Sequence, residues 1–307
     1  MIRTLTRLAV PGLALAIAAA LPAHADTKIE KNLKLDPGGK LTVVSDAGSI
    51  EVRGTSASGA HVVLTSQDDD LAAKFDMSFQ ESPGEVKIVV KKKKDLASMF
   101  GSVKTTGMKF EITVPEKTET HLSTGGGHLL LSNLNGDAKA ETSGGHIEVD
   151  RLTGNAHVET SGGHITAKRV EGALWAETSG GHIEASDIAK DIHVETSGGH
   201  IKVVGAKGRV DADTSGGHVD VSFAKGNARG GRIETSGGSI TVSLDPAVNL
   251  NLEASTSGGS VSTDIPVKVA GKLSKTAIRG SIGSGGETLT VSTSGGSIVI
   301  QSIGNAL

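Results

Sequence analysis

The sequence predicts an all-β fold: a single-stranded β-helix, or β-solenoid, with coils of about 18 residues and an elaborated β cap on its N-terminal side. Three observations predict it. T-S-G-G-H recurs at Thr142–His146, Thr160–His164, Thr178–His182, Thr196–His200 and Thr214–His218, one copy every 18 residues without a slip. Apolar and polar residues alternate within each period, the pattern of a strand with one buried face. No proline occurs between Pro115 and Pro246, as expected where every strand is paired on both sides. A fixed period of this size is the mark of stacked coils, each too small to hold together alone.

Residues 1–25 read as a secretory signal peptide. Arg3 and Arg7 form a basic start, an apolar run extends from Leu8 to Leu21, and Ala23-His24-Ala25 makes an A-x-A cleavage site before Asp26. The run is short for a membrane span, and no later stretch could provide a transmembrane segment of the mature chain. The expected location is therefore the periplasm or the cell surface or extracellular space.

Residues 26–120 read as an N-terminal coil and β cap. Gly48–Val52 matches the first-strand motif of the repeat and Ala60–Val62 the second. From about Ser66 to Thr120 the segments lengthen, and Val86–Val90 and Lys109–Val114 read as a hairpin joined by a loose loop. The basic run Lys91–Lys94 reads as a solvated loop of this cap.

Residues 121–307 read as the solenoid repeats, continuous with the cap as one domain. In the coil His146–Gly163, Ile147 and Val149 point inward between His146, Glu148 and Asp150. Leu152 follows at the bend, and Thr153-Gly154-Asn155 supplies a turn. Ala156, Val158 and Thr160 form the inward face of a second strand, with His157 and Glu159 outward. Ser161-Gly162-Gly163 makes the second turn, where glycine is expected to take positive φ. The inward columns are Ile147, Ile165, Ile183, Ile201 and Val219 for the first strand, and Leu134, Leu152, Val170, Ile188, Ala206 and Ala224 for the bend. A looser copy of the motif ends at His128, and later copies carry Ser239, Ser260 and Ser297 in place of His. With Ser281, the later spacing is 21, 21 and then 16, and the extra residues are expected to bulge at turns between successive coils.

Composition narrows the function. There are 42 glycines, about twice the usual share, no Tyr, one Trp and no Cys, so neither a disulfide nor a thiolate metal site is possible. Without residues 1–25 the chain loses Arg3 and Arg7, leaving 29 basic residues against 34 acidic ones. That balance argues against nucleic acid as a partner.

The segment Phe110–Lys117, F-E-I-T-V-P-E-K, leads into S-T-G-G-G-H-L-L-L-S-N-L-N-G at Ser123–Gly136 and then into the T-S-G-G-H-I repeats. Together these resemble the putative-adhesin family of bacterial exported β-strand-repeat domains of unknown function, over roughly Lys28 to Ile300. The resemblance implies a β-solenoid, an envelope or surface location and a role in adhesion. It carries no catalytic residues.

Two outward columns have chemical potential. His128, His146, His164, His182, His200 and His218 would lie one rung apart, about 4.8 Å, where imidazoles could hold a divalent transition metal. The reading with more weight is a structural ladder, since duplication copies every residue of a repeat. Glu141, Glu159, Glu177, Glu195 and Asp213 form a self-repelling acid column that could contact cations or a partner surface. Trp175 shares a third column with Lys139, His157, His193 and Asp211 and could touch a sugar or a protein. Glycosidase chemistry needs two carboxyl groups in unlike environments, whereas a uniform ladder offers like ones. The sequence thus points to a non-enzymatic binding or adhesion protein without a cofactor, its partner an envelope polymer, a glycan or another envelope protein. A metal-binding periplasmic protein and a carbohydrate-active β-helix enzyme are the alternatives.

Overall fold

The computed structural model describes residues 27–68, 70–93, 107–269 and 274–304. The signal-peptide reading concerns residues outside these. The described residues form one 13-stranded and one 14-stranded sheet, with a single helical turn at Leu71–Lys74 whose N-cap Asp70 accepts from the Ala73 N–H. The inward columns of both sheets join one apolar cluster that runs from Leu35 to Ile300.

In the centre the chain behaves as the repeat predicts. Ile147–Leu152 pairs in parallel with Ile165–Val170 in the first sheet. Ala156–Thr160 pairs in parallel with Leu174–Thr178 in the second. Each residue lies opposite the one 18 positions on, so every column runs straight along the stack. Ile147, Ile165, Ile183 and Ile201 are each 1% exposed. Alanine fills many inward positions, including Ala140, Ala167, Ala176 and Ala185, which makes the core thin.

The first strand ends in a bulge with its own period. Asn133, Arg151, Arg169 and Asp187 have φ of 55–56° and Gly205 has φ of 70°. A left-handed residue at each rung turns the next apolar side chain, Leu134, Leu152, Val170, Ile188 or Ala206, into the core. The bulge stops at the next coil, where the register shifts and Phe223 lies opposite Ala206. Phe223, and not Ala224, is therefore the buried bend residue there.

The glycines of T-S-G-G do not take positive φ. For the second glycine of each corner the requirement is proximity. A Cβ on Gly163 would lie 1.8 Å from the Gly145 carbonyl oxygen, and one on Gly181 would lie 1.7 Å from that of Gly163. At this second position stacked corners approach too closely for any side chain.

Both ends depart from sequential stacking. At the N-terminal end, Gly39–Ser45 and Ser49–Thr55 form a rung beside Thr118–Thr124 and Leu129–Leu134. Glu85–Lys92 and Lys109–Pro115 are not a hairpin. They lie in opposite sheets and form the rung outside it, pairing in parallel with Gly39–Ser45 and Ser49–Thr55. Both strands alternate because both bury one face, Val86, Ile88 and Val90 from one side and Phe110, Ile112 and Val114 from the other. Ala60–Ser66 is not a second-sheet strand. It closes the first sheet, antiparallel to Lys109–Pro115 and to the edge strand Thr27–Leu33. Phe75–Ser82 closes the second sheet, antiparallel to Glu85–Lys92.

At the other end, Ile298–Ser302 inserts between Ile240–Leu244 and Val261–Thr263. Thr288–Thr293 likewise inserts between Gly231–Thr235 and Leu250–Thr256. The 21-residue steps are therefore not successive coils from Ser239 onward: the rung starting near Ser297 lies between those of Ser239 and Ser260. Ser281 begins no rung. It lies in Ala277–Ile282, antiparallel to Leu250–Thr256. Antiparallel strands thus terminate both sheets at the N-terminal end and the second sheet at the other, where the first sheet ends in the parallel strand Val261–Thr263. The charges on the N-terminal edge strand Thr27–Leu33, Lys28, Glu30 and Lys31, discourage further pairing there.

Candidate functional site

The T-S-G-G-H corner is a hydrogen-bonded unit that repeats at every rung. The buried threonine does two things at once. Thr160 Oγ1 donates to the Gly145 carbonyl of the preceding rung at 2.9 Å and accepts from the Gly163 N–H at 3.2 Å. Thr142, Thr178, Thr196 and Thr214 repeat both bonds. A buried hydroxyl with both functions satisfied is tolerable in a core.

The six histidines of the predicted column are brought together. Ring centroids from His128 to His218 are spaced 4.9, 4.8, 4.8, 4.8 and 5.2 Å, with planes within 11° of parallel. The bond that holds them was not legible in the pattern. Each ring's Nδ1 accepts the backbone N–H of the histidine on the next rung. The His164 N–H donates to His146 Nδ1, that of His182 to His164 Nδ1 and that of His200 to His182 Nδ1, each at 2.8 Å. The last ring, His218, accepts from the Ser239 N–H at 3.0 Å. Where serine holds the column, its Oγ takes the same role. Ser49 accepts from the His128 N–H at 3.1 Å, Ser239 from Ser297 and Ser297 from Ser260, the latter two at 3.2 Å. The column thus selects for a short side chain with an acceptor, which accounts for the exchange of His and Ser.

This bond fixes the tautomer. An Nδ1 that accepts carries no proton, so the neutral ring holds its proton on Nε2. A metal on Nε2 needs that lone pair, which moves the proton to Nδ1 and forfeits the backbone bond. Among the described residues, no group of three or more His, Asp or Glu side chains is arranged to hold a metal ion. Burial among its neighbours, followed by the like charge of His182 and His146, holds the His164 pKa below the usual imidazole value.

The acid column is also continuous: Glu141, Glu159, Glu177, Glu195 and Asp213 lie opposite one another in register. Lys139 pairs with Glu141 at 2.6 Å. Glu159, Glu177 and Glu195 are exposed and make no ion pair among the described residues. Burial, and then the Glu234 carboxylate on the next rung, push the Asp213 carboxyl above its usual pKa, against the opposing pull of Arg232 and His193.

Trp175 is 44% exposed and stands between two imidazoles. Its ring centroid is 5.7 Å from that of His157 and 4.1 Å from that of His193. An imidazole is smaller than an indole and covers only part of its face. Trp175 lines a groove of about 480 Å³ along the second sheet, reaching from Lys40 and Glu119 to Arg209 and Asp211. One wall is a column that sequence reading missed. Asp137 Oδ1 accepts the Asn155 N–H at 2.8 Å, Asn155 Oδ1 accepts the Ala173 N–H at 3.0 Å, and Asp191 Oδ1 accepts the Arg209 N–H at 2.9 Å. The signal was present as Asp or Asn at 137, 155 and 191, broken by Ala173.

A family model described as Toastrack DUF4097 matches residues 40–301. Among solved structures, a putative lipid binding protein from Parabacteroides distasonis ATCC 8503 is 18% identical, with 90% of this chain and 96% of that chain covered and a TM-score of 0.50. A putative adhesin from Bacteroides fragilis NCTC 9343 is 14% identical, with 92% and 99% covered and a TM-score of 0.45. A putative cell adhesion protein from Clostridium sporogenes ATCC 15579 is 15% identical, with 90% and 100% covered and a TM-score of 0.24. No curated protein matches the chain. At these identities the likeness to the Parabacteroides structure is one of fold.

Proposed function

The chain belongs to the Toastrack DUF4097 family, the putative-adhesin family of unknown function that its repeat resembles, and from that premise we propose that it is a non-enzymatic, exported binding protein. It acts at the bacterial envelope and presents a rigid, repetitive polar surface to an envelope polymer or to another envelope component. Export rests on the signal-peptide pattern of residues 1–25. The observation that carries the binding role is the second sheet's outer face. There the uncommitted carboxylates of Glu159, Glu177 and Glu195 run beside a groove containing the chain's only indole. Glu159, Glu177 and Glu195 are one repeated group in like, exposed environments and not an acid and a base set apart, which favours contact over catalysis. We read the histidine row as structural, because its Nδ1 atoms serve the backbone.

The test is co-sedimentation of the mature protein with purified envelope fractions, sacculi and outer-membrane polysaccharide, against an unrelated β-solenoid as control. Saturable binding, weakened when Glu159, Glu177 and Glu195 are all changed to Gln or when the groove is altered, is the expected result. Retention no greater than the control's on every fraction overturns the binding role. Turnover of any such polymer overturns the non-enzymatic one.

A further inference from the structure

We propose that the groove beside Trp175 is a binding site for an extended, uncharged glycan chain lying along the solenoid axis, its centre at the notch left by Ala173. This deepens the binding role above and rests on it.

The site is an interruption in a repeat. In the wall column, a side-chain oxygen at one rung accepts the backbone N–H of the next. Ala173 has no such oxygen, so the Asp191 N–H is left without a side-chain acceptor. The same coil carries Trp175 two residues on, where the flanking rungs have His157 and His193. The missing cap and the single indole of the chain thus occur together, and both open into one groove.

The chemistry of the lining selects the ligand. Each cation of the groove is already paired: Lys40 with Glu119 at 2.7 Å, Lys139 with Glu141 at 2.6 Å and Arg209 with Asp211 at 3.1 Å. An anionic chain finds no free counter-charge. Donors and acceptors do remain. The Asp191 N–H and the Trp175 Nε1–H have no hydrogen-bond partner among the described residues. Oδ1 of Asp137 and of Asp191 serves the backbone, and their Oδ2 atoms have no hydrogen-bond partner among the described residues. Hydroxyl groups donate and accept together, so they match this mixture where a purely apolar or ionic ligand does not. The uncovered part of the indole face supplies an apolar patch for a sugar ring. Rungs repeat at about the 4.8 Å seen between stacked rings. A pyranose in an extended β-linked chain is close to that length, so successive sugars can meet successive rungs.

Trp175 is the only Trp, so its fluorescence reports on the site directly. The experiment titrates neutral β-linked cello-, xylo- and chito-oligosaccharides, from disaccharide to hexasaccharide, into the mature protein. Expected are a saturable change in emission, protection from acrylamide quenching, at least tenfold tighter binding of the hexasaccharide than the disaccharide, and little effect of salt. Ala173→Asp refills the column and gives the Asp191 N–H its acceptor. Its melting temperature should hold or rise while affinity falls at least tenfold. Trp175→Ala, followed by calorimetry, should lose affinity to a similar degree. No saturable change with any oligosaccharide overturns the proposal, as does unchanged affinity in a folded Ala173→Asp variant or binding to phosphatidylcholine vesicles in place of sugars. If the wild type and both variants bind envelope fractions equally, this site is wrong and the general binding role stands. If the wild type binds no fraction, that role itself fails.

Discussion

His164 shows what one residue of the ladder contributes. Its Nδ1 accepts the His182 N–H at 2.8 Å, a bond of the kind worth about 0.5–1.5 kcal/mol net. His164→Ala should lose about that much, while His164→Ser should lose less, because serine already fills this role between Ser239, Ser297 and Ser260. Urea unfolding of the two variants at pH 7.5 checks this, and equal losses would count against the acceptor role. Acid extends the argument. Protonated imidazole has no acceptor lone pair, and His164 is held below the usual pKa by burial and by its neighbours' charge. The unfolded chain, with a pKa of about 6.5, then binds more protons than the native one as pH falls. The stability from a neutral His164 is complete above that value and is lost as pH drops through it. Between pH 7.5 and 5.5 the wild type should lose more stability than His164→Ser. The period made the column visible, and the tautomer was not, because it depends on which atom of the next rung lies 2.8 Å away.

At the level of the coil, the two glycines of each corner are identical in sequence and unlike in structure. A Cβ on Gly163 would meet the Gly145 oxygen at 1.8 Å, whereas one on Gly162 has its nearest neighbour, the Ser143 oxygen, at 3.9 Å. Neither glycine has positive φ, so conformational strain does not separate them. Gly163→Ala should destabilise by about 3 kcal/mol or more, at or above the upper end of ordinary overpacking, and Gly162→Ala by less than about 1 kcal/mol. Thermal and urea midpoints of the pair decide this, and similar losses would refute close stacking as the reason for the second glycine. The strands themselves were legible, since Ile147, Val149, Ala156 and Val158 alternate with polar residues, and all four are buried. The bulge at Asn133, Arg151, Arg169 and Asp187 was not. Asn133, Asp187 and Gly205 are of types that favour the left-handed region, but Arg151 and Arg169 between them are not, so no residue type marks the position at every rung.

For the whole molecule, the order of stacking matters more than the number of coils. The repeat reads the same whether a G-S-I strand lies on its predecessor or on a later one, so the local pattern left the ends undetermined. In the structure, Thr288–Thr293 and Ile298–Ser302 fill the rung between Gly231–Leu244 and Leu250–Thr263. That rung is internal although its strands come last among those described. Two deletions of similar size should therefore have opposite effects. Removing residues 164–181 takes out one complete coil and joins Gly163 to His182, the same Gly–His junction that the neighbouring rungs have at His146 and His200. Its neighbours then meet in the register they already use, so the shortened protein should stay monomeric and melt cooperatively. Removing residues 288–307 leaves a gap with unpaired edges on Gly231–Thr235 and Leu250–Thr256 and uncovers Ile240, Val242, Leu252 and Ala254, all buried in the intact chain. Exposed edges and apolar surface of this kind promote association. The truncated protein should lose its cooperative melt by circular dichroism and run as aggregate in size-exclusion chromatography. A cooperative, monomeric truncation would mean that the stack closes up in sequence order once its last strands are gone, and that the inserted rung is not needed to complete the fold.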